Sequence, residues 1–331
     1  MHQKIRKREI GMCTCITYEN GSFYFGRNLD LDRSFKETVT ITPRNFPLEF
    51  RRTGRMKRHY AMIGMASKNG SFPLYAEAVN EKGLCMAGLN FPGNAFYQKA
   101  NGRGTELASF EIIPWILGRC ASVVEAQEYL DSMKVIDLKF SENMPPAPLH
   151  WMLTDKAKCL VLEPVREGLK VYDDSFGVLT NNPSFEYHEM NINNYLNLSA
   201  SGLENRFSDQ LQLKPYSQGM GAIGLPGDAS SASRFVRAAF LKCNSAAPED
   251  ELSNVSQFFH ILDAVAMIRG AVITEEGTYD ITTYSCCVNT QSGTYYYKTY
   301  DDCQIRKESL RNADLEEKRL IERFAGERGL C

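Results

Sequence analysis

Cys13 follows Met12 near the start of the chain, and it could act as a nucleophile that carries its own base. A cysteine at the first position of a protein holds a thiol, with an ordinary pKa of about 8.5, and a free α-amino group, with a pKa of about 7.7–8.0. The amine can take up the thiol proton near neutral pH, so no histidine is needed. This chemistry requires Met12 and all residues before it to be absent from the working protein.

A β-hairpin is predicted directly around this cysteine. The segments 13–18 and 23–28 are rich in strand-forming residues, and Asn20-Gly21 lies between them. Asn-Gly between two such segments is the strongest short-range hairpin signal.

The hairpin would bring charged side chains next to Cys13. A two-residue loop would pair Cys13 with Asn28, and a three-residue loop with a bulge would pair it with Arg27. In either register Arg27 and Asp30 lie beside Cys13. A guanidinium near sulfur favours the thiolate, and a carboxylate could hold the α-amino group by a charge-assisted hydrogen bond.

A plainer interpretation explains the same residues. Cys13 could be an ordinary buried strand cysteine beside an ion pair of Arg27 and Asp30, and the residues alone favour this reading. Cys15 competes as a nucleophile, but it lies inside the strand and could not also carry a free amine.

Composition narrows the class of protein. The 331 residues include 38 Lys and Arg against 40 Asp and Glu, and this near balance argues against a nucleic-acid partner. No apolar run approaches the roughly 18 residues of a membrane helix, and no apolar segment follows the basic start as in a secretory signal. The ten cysteines form no CxxC pair, and the five histidines are scattered. We therefore expect no metal or other cofactor, and a cytoplasmic protein with mostly buried thiols.

The order of predicted elements indicates an α+β domain. Strands are predicted at 38–42, 60–65, 74–79, 84–90, 150–154, 158–163, 168–172, 176–180, 278–288 and 293–300. Helical blocks are predicted at 105–133, with a capping box of Ser122 and Glu125, at 231–243 and at 255–269. In the block at 255–269, one face of the predicted helix is formed by Phe258, Ile261, Leu262, Val265 and Ile268.

Strands grouped apart from helices favour mainly antiparallel sheets with helices packed outside. Because no linker or repeat divides the chain, 13–331 is predicted to be a single catalytic domain. The many charged residues at 312–331 predict a solvated helix or tail.

A series of motifs resembles the choloylglycine hydrolase family. The motifs are Met12-Cys13-Thr14, Phe25-Gly26-Arg27-Asn28-Leu29-Asp30, Thr42-Pro43-Arg44-Asn45, Asn80-Glu81-Lys82-Gly83-Leu84, Ala87-Gly88-Leu89-Asn90-Phe91, Leu149-His150-Trp151, Leu179-Thr180-Asn181-Asn182-Pro183, and Leu225-Pro226-Gly227-Asp228 with Ser233-Arg234-Phe235. They run in unbroken order from Met12 to about Ile305, and this order makes the resemblance specific. The family comprises bile salt hydrolases and penicillin V acylases with an N-terminal nucleophile, and it implies a four-layer αββα fold.

The resemblance implies six catalytic positions. The nucleophile falls on Cys13, and the family's arginine and aspartate fall on Arg27 and Asp30. The remaining three fall on Asn90, Asn181 and Arg234, with Asn182 and Arg237 as weaker candidates for the last two. The resemblance also places Asn90 where penicillin V acylases typically have tyrosine and bile salt hydrolases have asparagine.

The implied activity is hydrolysis of the amide bond of glycine- or taurine-conjugated bile salts through a thioester on Cys13. Substrate-binding positions fall on Leu29, Ala76, Phe140, Met144 and Leu149, and for each side chain taken alone core packing is the simpler explanation. The resemblance further implies a homotetramer. The charge balance and the lack of a long apolar run argue against a nucleic-acid or membrane partner. Alternatives are a penicillin V or other N-acyl amidase, and a non-catalytic bile acid-binding protein on the same scaffold.

Residues 1–12 depart from the family pattern, because Cys13 has no free amine while they remain. A mis-assigned upstream start is the favoured explanation. A propeptide removed at Cys13 and a retained extension on an inactive protein are the other two.

Overall fold

The computed structural model describes residues 11–69 and 72–324. The predicted extension 1–12 lies outside these residues except for Gly11 and Met12, as does the end of the chain after 324. The strands are β1 (Met12–Asn20), β2 (Ser22–Leu31), β3 (Thr38–Thr42), β4 (Leu48–Phe50), β5 (Gly54–Met56), β6 (Met62–Asn69), β7 (Phe72–Asn80), β8 (Cys85–Asn90), β9 (Thr105–Ala108), β10 (Met133–Ile136), β11 (Leu149–Thr154), β12 (Cys159–Val165), β13 (Gly168–Asp173), β14 (Val178–Leu179), β15 (Ile281–Asn289), β16 (Thr294–Thr299), β17 (Arg306–Ser309) and β18 (Ile321–Phe324). The α-helices are α1 (Ile112–Arg119), α2 (Val123–Leu130), α3 (Phe185–Asn191), α4 (Ser231–Cys243) and α5 (Glu251–Asp263), and short 3₁₀ turns cover Ser109–Glu111, Ile192–Tyr195, Met220–Ala222 and Leu310–Asn312.

Two large sheets form the centre of the fold. Sheet A has the strand order β14-β1-β2-β15-β16-β17, and sheet B has the order β13-β12-β11-β8-β7-β6-β3-β18. Neighbouring strands in both sheets are antiparallel. The sheets face each other across a core to which β1, β2 and β8 contribute Cys15, Phe25 and Leu89.

Helices cover the outer face of each sheet. Phe235 of α4 and Phe258 of α5 are fully buried against sheet A, and Ile116 and Leu117 of α1 are buried against sheet B. The layers therefore follow the order helix, sheet, sheet, helix, and the predicted four-layer αββα arrangement is confirmed.

The first hairpin forms, but both predicted registers are wrong. Asn20 pairs with Ser22, so the chain reverses at Gly21 alone, whose φ of +68° suits glycine. This places Cys13 opposite Leu29 rather than Asn28 or Arg27, while Arg27 lies opposite Cys15. Because alternate residues of a strand share a face, Arg27 still points to the same side of sheet A as Cys13.

The predicted helical block at 105–133 is only partly helical. β9 and β10 form a parallel pair at its two ends, and an extended Cys120 separates α1 from α2. Four-residue strands are too short to show a period of their own in the sequence. Ser122 caps α2 as predicted, accepting from the Glu125 nitrogen, but the Glu125 carboxylate accepts from the nitrogen of Ala121 instead of that of Ser122.

Two further predictions are corrected near the end of the chain. Helix α5 begins at Glu251 behind an Asp250 cap and ends at Asp263, so Ile268 lies beyond it and is 69% exposed. The prediction of a solvated helix or tail at 312–331 is wrong for residues 321–324, which form β18 and pair with β3 at the edge of sheet B. Charged side chains are common on edge strands, where they hinder unwanted pairing, and this made the segment resemble a tail.

Candidate active site

The sulfur of Cys13 lies in a buried environment between the two sheets. Burial raises the pKa of the thiol above its ordinary value, and the carboxylate of Asp30 raises it further. The guanidinium of Arg27 and hydrogen bonds from the backbone N–H groups of Asn90 and Asp30 lower this pKa. The groups that favour the thiolate thus come from both sheets.

The backbone nitrogen of Cys13 has a specific partner. It donates to Oδ1 of Asn181 at 2.9 Å. Strand β14 pairs Leu179 with Cys15, and continuing that register by two residues brings Asn181 opposite Cys13. Nδ2 of Asn181 donates to the carbonyl of Asn90 at 2.8 Å, so this side chain links sheet A to the end of β8.

Arg234 lies behind these two residues. The Ser230 cap starts α4 so that the Arg234 side chain enters the protein, where it is 1% exposed. Its Nη1 donates to the carbonyl oxygen of Cys13 and to Oγ1 of Thr14, and its Nη2 donates to Oδ1 of Asn181 at 2.7 Å. The guanidinium therefore fixes Cys13 and Asn181 relative to each other.

The weaker candidates lie elsewhere. Arg237 donates to the carbonyl of Gly227, and Asn182 donates to the carbonyl of Pro92, both at 2.8 Å. The structure brings Asn181 and Arg234, and not their neighbours, to Cys13.

Asp30 is fully buried, and one of its oxygens is unsatisfied. Oδ1 accepts from Oγ1 of Thr282 at 2.6 Å, whereas Oδ2 has no hydrogen-bond partner. Burial raises the pKa of Asp30 to about 6, although Arg234, Thr282 and Arg27 oppose the shift. Burial and the nearby Asp30 also raise the pKa of Asp280, to about 7.

Asn90 presents a second donor beside its backbone N–H. Its Nδ2 donates to the carbonyl of Gly11 at 3.1 Å. Gly11 is itself buried, so this residue occupies space beside Asn90. An amide donor in this position could also hold a carbonyl oxygen of a bound substrate.

Arg27 reaches across from sheet A to sheet B. Its Nη1 donates to the carbonyl of Gly88 at 2.6 Å and to that of Ala76 at 3.2 Å. Its Nη2 is buried without a hydrogen-bond partner. The guanidinium is therefore bound through Nη1, whereas Nη2 forms no hydrogen bond.

A cavity of about 140 Å³ opens at Cys13. It is lined by Cys13, Leu29, Leu31, Phe35, Tyr75, Ala76, Gly88, Asn90 and Leu149. The structure thus brings Leu29, Ala76 and Leu149 to the thiol.

Phe140 and Met144 do not line this cavity. Phe140 packs edge-on against Phe110, with ring centroids 5.0 Å apart, and Met144 is 36% exposed. Their predicted contact with substrate stays a prediction.

The sequence of this chain matches one family of amide hydrolases. A sequence model described as linear amide C–N hydrolases, choloylglycine hydrolase family, matches residues 13–323. The chain belongs to the choloylglycine hydrolase family. The match starts at Cys13 and ends at residue 323, within β18.

Two relatives with known names match nearly the whole chain. A bile salt hydrolase/transferase of Lactiplantibacillus plantarum is 49% identical over 310 residues, which are 94% of this chain and 96% of that protein. A bile salt hydrolase/transferase of Clostridium perfringens is 38% identical over 311 residues, 92% and 94% of the two chains.

Solved structures show the same fold. A crystal structure of a variant of the conjugated bile acid hydrolase of Clostridium perfringens has a TM-score of 0.89 at 36% identity, covering 96% of this chain and 98% of that one. Penicillin V acylase of Agrobacterium tumefaciens has a TM-score of 0.73 at 16% identity, covering 95% and 92%, and shares the fold.

Several residues that support this site were not predicted from the sequence. The hydroxyl of Thr282 donates to Asp30. The hydroxyl of Ser231 shares a hydrogen bond with that of Thr180 and accepts one from the backbone nitrogen of Asn181 at 2.8 Å. A serine or threonine far along the chain gives no signal of its own, because only the pairing of β2 with β15 brings Thr282 to Asp30. The described ranges contain no cluster of metal-ligating side chains and no helix with the length and apolar character to cross a membrane.

Proposed function

We propose that this protein hydrolyses the amide bond between a bile acid and glycine or taurine. One observation carries the proposal: Cys13 and Asn90 line the same largely apolar cavity, while the nitrogen of Cys13 is held by Asn181. The names of the relatives and of the similar crystal structure supply the substrate class.

The first step is acyl transfer to sulfur. The Cys13 α-amine accepts the thiol proton, and the thiolate attacks the amide carbonyl carbon of the substrate. Nδ2 of Asn90 and a backbone N–H hold the resulting oxyanion, and one such donor typically contributes about 2.7–4 kcal/mol to transition-state stabilisation. The C–N bond then breaks, the leaving amine takes the proton from the α-amine, and a thioester remains.

Water completes the reaction. The α-amine takes a proton from the attacking water, a C–O bond forms, and the thiolate leaves as the C–S bond breaks. Asp30 and Asn181 orient the amine in both steps, and Arg27 stabilises the thiolate. Arg234 keeps Cys13 and Asn181 together.

The mechanism requires Cys13 to be the first residue. While residues 11 and 12 are present, Nδ2 of Asn90 is bound to the Gly11 carbonyl and the Cys13 nitrogen belongs to a peptide bond. Removal of residues 1–12 would free the donor and create the base in one event. We therefore propose that the active protein is 13–331 and that it forms a single catalytic domain, since sheet B contains both β3 and β18.

The apolar lining around Cys13 fits a steroid carboxamide. Leu29, Ala76 and Leu149 would contact the acyl part of the substrate next to the scissile bond. Because about 140 Å³ is less than drug-sized ligands usually occupy, the rest of the steroid must extend beyond the cavity. Phe140 and Met144 are proposed to contact that distal part.

The experiment compares products and substrates on one preparation. Protein beginning at Cys13, checked by intact mass, is mixed with glycocholate, taurocholate or penicillin V, and released amine is measured. We expect release of glycine or taurine well above cleavage of penicillin V, because Asn90 stands where the acylases typically have tyrosine. Preferred cleavage of penicillin V would support the amidase alternative. Binding of bile salt with no hydrolysis would support the non-catalytic one.

Oligomerisation and location are proposed separately. Leu196, Phe207 and Tyr216 are more than 80% exposed within the segment that joins α3 to α4, and we propose that this apolar surface is covered in a homotetramer. Light scattering on the purified protein tests the subunit number. Buried unpaired thiols such as Cys15, Cys85 and Cys286 support a reducing, cytoplasmic location.

A further inference from the structure

Glu77 of β7 is a fully buried carboxylate that the mechanism above does not use. Its Oε2 accepts from the hydroxyl of Tyr284 and its Oε1 from that of Tyr295, each at 2.6 Å. Oε1 also accepts from the backbone nitrogen of Met65 at 3.2 Å. Oε2 lies 3.9 Å from Nε of Arg27.

These contacts join the two sheets around one charge pair. Glu77 belongs to sheet B, whereas Arg27, Tyr284 and Tyr295 belong to β2, β15 and β16 of sheet A. The groups that bind the carboxylate are all donors, as an ionised carboxylate requires. Burial raises the pKa of Glu77, and Arg27 and the two tyrosine hydroxyls oppose that shift.

The position of Arg27 explains why its counter-ion matters for Cys13. Nη1 is bound to the carbonyls of Ala76 and Gly88, two residues that line the cavity at Cys13. Nη2 has no hydrogen-bond partner. The charge of Arg27 favours the thiolate of Cys13, and Nη2 is the guanidinium nitrogen that has no other hydrogen-bond partner.

We propose that Glu77 is a positioning residue: with Tyr284 and Tyr295 it holds the buried guanidinium of Arg27 against the carbonyls of Ala76 and Gly88 and thereby sets how readily Cys13 ionises. The proposal rests on the proposed role of Cys13 as nucleophile. The physical basis is that a guanidinium buried without a counter-ion is strongly disfavoured, so Arg27 would shift toward water if Glu77 lost its charge.

A purely structural role is the alternative. A clamp between two sheets would stabilise the fold without affecting the ionisation of Cys13. The two roles are separable because the other charged groups that face Cys13, Asp30 on β2 and Arg234 on α4, are unchanged by substitutions at Glu77.

The experiment measures the ionisation of Cys13 directly. Protein beginning at Cys13 is treated with iodoacetamide across pH 5 to 10, and alkylation of the Cys13 peptide is followed by mass spectrometry. Glu77→Gln is compared with wild type, and the double variant Tyr284→Phe/Tyr295→Phe removes two donors while leaving the charge of Glu77. Steady-state kinetics with a conjugated bile salt are measured on the same preparations.

Two matched controls account for general effects of buried substitutions. Glu111→Gln changes another fully buried glutamate, which accepts from the backbone nitrogens of Arg51 and Ala108 away from Cys13. Tyr296→Phe changes the next residue on β16, whose hydroxyl binds Glu251 on the other face of sheet A.

We expect the apparent pKa of Cys13 to rise by about one unit in Glu77→Gln, and kcat to fall about tenfold near neutral pH with KM changed less than twofold. The double variant should shift in the same direction by less, and the controls should not shift. If Glu77→Gln does not fold, the double variant alone decides. Superimposed alkylation profiles of wild type and the folded variants would overturn the proposal. Alkylation needs no substrate, so this result stands even if the preferred substrate is not a bile salt.

Discussion

The backbone nitrogen of Cys13 donates to the side-chain oxygen of Asn181 at 2.9 Å, although 168 residues separate the two in the chain. The pairing of β1 with β14 produces this contact, because its register leads directly from Cys15–Leu179 to Cys13–Asn181. If Cys13 becomes the first residue, the same oxygen is ready to hold the α-amine that serves as base.

Asn181→Ala should lower kcat/KM by about 10- to 100-fold, since it removes a buried hydrogen-bond acceptor from both the Cys13 nitrogen and Arg234. Asn182→Ala is the matched control, because Asn182 binds the Pro92 carbonyl outside the site. Steady-state release of glycine from a conjugated bile salt measures both. Equal losses in the two variants would contradict the assignment of Asn181.

Asn90→Ala should lower kcat by about 100-fold or more with little change in KM, because an oxyanion donor acts in the transition state rather than in the bound substrate. The alkylation rate of Cys13 should stay within a few-fold of wild type, since the backbone N–H of Asn90 that faces the sulfur is retained. A KM effect with unchanged kcat would mean that the side chain binds substrate only.

Asp30→Asn should abolish most hydrolysis and yet stabilise the full-length chain at pH 7. The folded-state pKa of Asp30 is raised to about 6, so the folded protein holds the proton more tightly than the unfolded one. The contribution of Asp30 to folding is therefore fully present below pH ~4 and is lost as the pH rises through 6. The stability difference from wild type should grow by on the order of 2 kcal/mol between pH 4 and pH 7.

Urea unfolding of both proteins at several pH values tests this sign. Other carboxylates titrate in both chains, so the difference isolates Asp30. A variant that loses stability relative to wild type as the pH rises would show that the ionised carboxylate is favourably paired in the folded state.

Ala76→Leu should raise KM for conjugated bile salts about tenfold or more, because the added atoms fill part of a cavity of only about 140 Å³. The small reagent iodoacetamide should still alkylate Cys13, which shows that the thiol itself remains functional. Leu149→Ala is the reciprocal change and should affect KM without blocking the thiol. Unchanged KM in both variants would place the substrate outside this cavity.

Local signals in the sequence were sufficient for the first hairpin and for α4, whose observed bounds coincide with the predicted 231–243. Local signals did not predict the register of this hairpin, because a single glycine at a positive φ makes the turn one residue shorter than the Asn-Gly rule implies. The paired short strands β9 and β10 and the edge strand β18 are stabilised by partners distant in sequence, and no local period reveals them.

The same distinction applies to the site. Arg27 and Asp30 follow Cys13 within one hairpin, so their proximity could be predicted from turn chemistry. Thr282 and Glu77 reach the site only through pairing and stacking of the two sheets, which local patterns do not specify.

The central claim is that the Cys13 α-amine is the base. The most direct test compares one protein before and after the peptide bond ahead of Cys13 is cleaved. A protease site replacing the residues just before Cys13 gives a chain whose first residue becomes Cys13 only after cleavage, as verified by intact mass. We predict no bile salt hydrolysis before cleavage and full hydrolysis after it. Full activity while the nitrogen of Cys13 remains in a peptide bond would contradict the mechanism.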